Sequence, residues 1–446
     1  MLPKKENTAQ LSFYSTFEEQ LNRRHPLFIL AGKINWSVFE ESFAKHYREG
    51  FGRPAKPIRL MVSLLMLKHL RNLSDESVVE QWAENAYYQY FSGEKAFASK
   101  EPCEASELVH FRNRIGAEGV ELILKESIRI NGKDGHEDKG SVDTTVQEKN
   151  ITYPTDSKLH RKIIKKCTAI AEKEGLELRQ SYSRTLKRLS LDQRFRNHPK
   201  NGKKARRADR KVKTIAGRLV RELVRKLRPG RYAAELALFG RVLDQKLKDK
   251  NKVYSLHEPE VKCISKGKEH KKYEFGSKVS ITLTRNSGVI IGALNIPTND
   301  YDGHTLEPAI QQQQRLTGHI LKEVAVDRGY RGIKEVRGTA IHTPRPFSKK
   351  LTAYQKAKRK KGFSRRAAIE PVISHLKTDY RLSRNFYKGI HGDNINVMLA
   401  AAAMNLKRMM NIWKNNLWQL FYRLIFMITC LTKSHSAFLY GNTMTF

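Results

Sequence analysis

The chain has 446 residues, enough for two or three domains, and its 39% hydrophobic content is that of a folded protein, which excludes wholesale disorder. Lys and Arg total 84 against 45 Asp and Glu, a formal net charge of +39 that repels itself in a compact state and calls for a polyanionic partner, nucleic acid first. No uncharged apolar run reaches the roughly 18 residues that a membrane span needs, and the scattered Cys103, Cys167, Cys263 and Cys430 form no CxxC pair, so no zinc or disulfide framework is expected and a reducing cytoplasm suits them.

Residues 1–130 read as an all-helical N-terminal domain. The basic start lacks the apolar core of a signal peptide. The apolar run Ile58–Leu70 predicts one helix, and Ser74 is placed to cap a second, with Glu76 and Ser77 in its first turn. A third, basic amphipathic segment surrounds SELVHFRNRIG. Short helices ending in an Arg-bearing one are compatible with a helix-turn-helix reader of DNA, and equally with a bundle that only packs.

The character changes at Ser141. SVDTTVQ is short and β-branched, and NITYP is a candidate partner strand. From about 157 to 250 the chain is helical and very basic (NGKKARRADRKVK, RLVRELVRKLRPGR), with charges recurring around an apolar stripe, which suits contact with a DNA backbone. Strand signals then resume: KKYEFGSKVSITLT and GVIIGALNIP form a hairpin-like pair around a turn ending in Gly288. TLEPAIQQQQRL reads as a helix, EVAVDRG as a buried strand with a turn, and GTAIHTP as a short strand. A helix over 365–379 and another over 394–413 follow, and Leu417–Leu431, interrupted by Arg423, reads as a buried or partner-facing helix. The expectation is an α/β chain: a mixed-sheet domain over 131–390 interrupted by the basic helical insertion, then a C-terminal helical segment over 391–446.

Three acids stand out by position. Asp143 lies inside a short strand, against the local preference. Asp327 ends a strand and opens the turn DRGY, at the strand edge where open α/β sheets build their sites. Glu370 sits in RRAAIEPVISHLK, where Pro371 is tolerated only near the helix start. Taken singly, each acid has an ordinary explanation as an ion-pair, turn or surface residue. On a helix of 100° per residue, however, Arg366, Glu370 and Lys377 fall within about 40° of one another, an acid between two cations. A carboxylate for a metal with basic groups for phosphate is what phosphodiester chemistry requires.

These residues resemble the DDE transposases of bacterial insertion sequences, most closely the insertion-sequence-five group, with relatives in the insertion-sequence-four group. The family's D-x-G-[FY] element is matched by Asp327, Gly329 and Tyr330. Its Y-x-x-R-x-x-x-E-x-x-x-x-x-x-K element is matched by Arg366, Glu370 and Lys377, with Phe363 where tyrosine is usual. The likeness runs through SVDTTV, KKYEFGSKVSITLT and NDYDGHTLEPA into the N-terminal part.

The resemblance implies an RNase H-like core in which Asp143, Asp327 and Glu370 are catalytic and hold two Mg²⁺ ions, with Mn²⁺ able to substitute. It also implies that Arg366 and Lys377 position phosphate. Terminal inverted repeats and target duplex DNA would be the partners, a homodimer or larger synaptic assembly the working form, and the cytoplasm the location, with no membrane. Two readings compete: an RNase H-like nuclease without strand transfer, and a catalytically inactive DNA-binding relative.

Overall fold

In a computed structural model, residues 16–48, 50, 54–265, 272–344, 352–357 and 365–441 are described, with side chains as far as residue 415. The N-terminal part is helical: α1 (Phe17–Gln20), α2 (Pro26–Lys33), α3 (Trp36–Ala44), α4 (Ile58–Leu70), α5 (Asp75–Glu84), α6 (Ala86–Ser92) and α7 (Ala105–Ile130). Helix α4 is apolar nearly all round, so it is buried on every side rather than on one face. Helix α5 starts where its cap predicts, the Ser74 hydroxyl accepting from the Ser77 N–H at 3.0 Å. Helix α7 is kinked at Gly116, whose φ of 68° is left-handed. A buried ionic cluster ties α4, α5 and α7 together: Asp75 accepts from Lys68 at 2.7 Å and from both ends of the Arg112 guanidinium at 2.9 and 3.2 Å. Burial alone would raise the Asp75 carboxyl, but these two cations override it and hold it below its usual value.

Among the described residues seven strands make one mixed sheet: β1 (Lys139–Glu148), β2 (Lys262–Ser265), β3 (Tyr273–Thr284), β4 (Ile290–Ile296), β5 (Glu323–Ala325), β6 (Glu335–Val336) and β7 (Thr339–His342). The order is β2-β3-β1-β5-β7-β6, with β4 also on β3. Strands β1, β3 and β4 run antiparallel, while β5 pairs parallel with both β1 and β7. This antiparallel meander joined to parallel strands is the α/β, RNase H-like arrangement expected. The β3–β4 hairpin turns at Gly288, whose φ is 69°. The segment NITYP is not a strand. Pro154 cannot donate to a ladder, and the edge of β1 beyond Glu148 is closed instead by Asn385, which gives its N–H to Glu148 and takes that of Asn150.

Between β1 and β2 the chain makes four helices: α8 (Asp156–Lys173), α9 (Ser183–Asp192), α10 (Gly202–Lys226) and α11 (Ala233–Asp244). They enclose a core of their own, built on Ile163, Cys167, Val212, Leu219 and Phe239, separate from that of the sheet. The main core is continuous from the N-terminal helices through the sheet to α12 (Leu306–Thr317), α13 (Ile369–Asp379) and α14 (Gly389–Gly441). Helix α14 packs on β4, α2, α4 and α7, and its buried Ala400–Ala403 run lets neighbouring backbones approach closely. Strand β4 is a sheet edge, and two carboxamides stand in for a neighbouring strand there. Asn405 bonds the Ile290 N–H and C=O at 2.9 and 2.8 Å, and Gln312 does the same for Ala293 at 2.9 and 3.2 Å.

Candidate active site

The site is set by register. Strand β5 pairs parallel with the start of β1, and Ala325 lies opposite Ser141. Two residues further along each chain are Asp327 and Asp143. A strand period of two carries both toward the face of Ala325 and Ser141, although β5 itself ends at Ala325. Asp143 is held from its other side by β3, opposite Ile281, and takes the Thr144 N–H at 2.7 Å. Asp327 caps the single turn Arg328–Tyr330, its carboxylate accepting from the Gly329 N–H. A Cβ at Gly329 would lie 2.9 Å from Asp327 Oδ1 and 3.2 Å from Asp302 Oδ2, so a side chain there would have to shift the Asp327 carboxylate.

Asp302 is the residue that sequence reasoning missed. It opens a short turn before α12, and its Oδ1 accepts from the Thr144 hydroxyl at 3.1 Å and from Lys278 Nζ at 2.9 Å. Lys278 is nearly buried in β3 and also donates to the Asp300 carbonyl at 2.6 Å. Tyr330 completes the group. Its ring is buried, and burial, then the charges of Asp143 and Asp302, pushes its ionisation well up. Tyr330 thus feels both acids while staying a neutral phenol. Lys278, a charge buried inside a strand, carries the same kind of signal as Asp143.

Glu370 is the second residue of α13, which packs against β1 and sinks Ile369 and Leu376 into the core. Pro371 falls in the first turn, where no intrahelical N–H bond is lost. The turn before it, Arg365–Ala368, is 3₁₀ rather than α. Arg366 nevertheless reaches Glu370 at 4.0 Å, with the carboxylate side chain 69% exposed. Lys377 turns instead to the buried Glu274 of β3, also at 4.0 Å. The nearby His375 bonds Asp379 at 2.8 Å on the solvent side. Phe363 lies outside the described residues. Asp143 and Asp327 therefore follow the last β1–β5 pair on adjoining segments, whereas the Glu370 side chain is mostly exposed. Among the described residues no group of three His, Cys, Asp or Glu side chains is arranged to hold a metal ion. The donor chemistry, carboxylate oxygen without thiolate or imidazole, is that of a hard divalent cation.

Comparison with known families decides what this sheet edge belongs to. Residues 246–406, which include β3, Asp302, Asp327 and Glu370, match the family described as "Transposase DDE domain". Residues 15–114 match "Transposase domain (DUF772)". The chain belongs to the DDE transposases. DNA is therefore the substrate of this transposase, and its family depends on divalent metal. The chain is also 43% identical over 191 residues to "Uncharacterized protein ORF8 in nfe locus" of Rhizobium meliloti, covering 42% of the transposase and 92% of that protein. No solved structure matches. Among the described residues no helix of the transposase is long and apolar enough to cross a membrane.

Proposed function

We propose that this transposase cuts the ends of an insertion sequence and joins them to target DNA by a metal-dependent mechanism, with Asp143, Asp327 and Glu370 as the catalytic carboxylates. The observation that supports the reading is the parallel β1–β5 register, whose last pair, Ala325 opposite Ser141, stands two residues before Asp327 and Asp143. Glu370 completes the set by turning its solvent-exposed carboxylate from Arg366 toward β1, against which its helix packs. Asp143, Asp327 and Glu370 would hold two Mg²⁺ ions, which supply charge stabilisation for the attacking and leaving oxygens of an in-line displacement.

The chain's own part is to place the phosphodiester. Arg366 and Lys377 neutralise its oxygens, the carboxylates orient the attacking water, and Tyr330 keeps the floor of the site dry. Water attack breaks one P–O bond and frees a 3′-hydroxyl. That hydroxyl then attacks a target phosphodiester, exchanging one P–O bond for another, so no covalent enzyme intermediate is required. In this reading residues 1–130 bind DNA, 131–390 catalyse, the C-terminal segment over 391–446 joins the two through α14, and the chain works in the cytoplasm as a dimer or larger synaptic assembly.

The test uses Asp143→Asn, Asp327→Asn and Glu370→Gln. Each should still bind terminal DNA and fail to cleave it with Mg²⁺ or Mn²⁺ present. Ordinary cleavage by any one removes that residue from the assignment. Joined products from two DNA ends separate a transposase from a nuclease that only hydrolyses.

A further inference from the structure

The insertion carries a concave, arginine-lined surface away from the carboxylates. A cleft of about 650 Å³ opens between α10 and the segment leading into α9, lined by Arg179, Gln180, Tyr182, Arg218, Arg221 and Arg225, with Glu222. Arg218, Arg221 and Arg225 recur at three- and four-residue spacing, so they share one face of α10. Over the whole of α10, eleven basic residues stand against two acids.

A basic face on a helix is ordinarily solvated and paired along its length. Here, among the described residues, none of the four cleft guanidinium groups donates a hydrogen bond or lies at ion-pair distance from a carboxylate. The acid in the cleft is already committed: Glu222 Oε1 takes Lys226 Nζ at 2.8 Å and the Arg179 N–H at 3.0 Å. Lys226, then that N–H, hold the Glu222 carboxyl below its usual value. The concentration of cations is also built. Gly217 is buried in α10, and a Cβ there would lie 3.2 Å from Arg221 Nη1, so its absence makes room for that guanidinium. Tyr182, which starts α9 on the cleft wall, is held at a φ of 58°, a strained conformation for a non-glycine residue.

We propose that this cleft is a duplex-DNA backbone site, in which Arg179, Arg218, Arg221 and Arg225 take successive phosphates of one strand. The inference rests on the chain being a transposase and adds where on the insertion the DNA runs. Spacing fits: the seven-residue step from Arg218 to Arg225 rises ~10 Å along the helix, close to three steps of ~3.4 Å duplex rise, the span of four successive phosphates. Arginine suits the task because its planar fork can bond two phosphate oxygens at once.

The experiment titrates a fluorescent 30-base-pair duplex of arbitrary sequence with the full-length chain from 0.05 to 0.3 M salt. The wild type is compared with R218A/R221A/R225A and with K203A/K204A/R206A, which removes the same charge elsewhere on α10. The cleft variant should lose affinity about tenfold per contact at 0.1 M salt, and its slope of log K against log[salt] should fall by about 2 to 3. The control variant should lose clearly less. Equal losses in both variants would reduce the cleft to bulk charge and overturn the proposal. An unchanged slope in the cleft variant would overturn it as well, as would loss of affinity only for single-stranded RNA of the same length. Helicity and melting temperature within a few degrees of wild type establish folding, and R218K/R221K/R225K, which keeps the charge, should recover most of the slope. A wild-type chain that binds no duplex at all would instead sink the transposase reading, so the two failures are distinct.

Discussion

Gly329 shows how one missing methyl group can govern a site. Its N–H is bound by Asp327, and the space where a side chain would stand is bordered by the carboxylates of Asp302 and Asp327. In Gly329→Ala the new carbon must displace Asp327. Cleavage should fall ~10–100-fold, as for a catalytic group misplaced by about 1 Å, while DNA binding and melting temperature change little. Wild-type cleavage by this variant would mean that the position of Asp327 does not matter. At this scale the sequence was partly legible. Asp143 could be picked out because an acid inside a strand opposes local preference, and Asp327 because a strand's C-terminal edge is where open α/β sheets build their sites. Lys278 carries the same signal in β3, but its meaning depends on Asp302, brought to it from a turn 24 residues later. A residue whose partner comes from another element gives only half of its signal in one dimension.

Elements were read more readily than their packing. The run Ile58–Leu70, the cap at Ser74 and the hairpin at Gly288 each have local causes, and each stands where those causes put it. NITYP failed as a strand because strand pairing is decided by what lies alongside, here Asn385. Asn405 is a similar case. Its helix is plain from the alanine-rich sequence, yet its carboxamide replaces a missing strand beside β4. In Asn405→Ala two buried backbone groups of Ile290 lose their partners, which should cost about 2–4 kcal/mol. Urea unfolding at neutral pH measures this, and a loss below about 0.5 kcal/mol would show that the edge is satisfied in some other way.

At the scale of the molecule, the end of β1, the start of α14 and the exit from the insertion converge on Lys149. Its ammonium lies 2.8 Å from Asp393, 3.3 Å from Glu258 and 2.7 Å from the Tyr387 carbonyl. Burial pushes the Asp393 carboxyl up to about 6 even with Lys149 beside it. The folded chain therefore keeps this proton to about pH 6, whereas the unfolded chain releases it near 3.8. The resulting stabilisation is complete below the lower value and is lost as pH rises through the upper one, a change of at most about 3 kcal/mol. Asp393→Asn should lack that slope. Unfolding free energies of the two proteins, measured from pH 4 to 7, should diverge across this window, and parallel curves would refute the shift.

The insertion begins and ends at one place. Tyr153 on the way in and Tyr254 on the way out both lie against Phe275 of β3, each with ring centroids 5.3 Å away. With its own core and a closed waist, the insertion is a cassette that should melt as a unit separate from the sheet. Calorimetry should then record two transitions, and Asp327→Asn should leave the one belonging to the cassette where it was. Since β1 and β3 are antiparallel neighbours, a different cassette, or a short turn, could be exchanged at this point without moving Asp143.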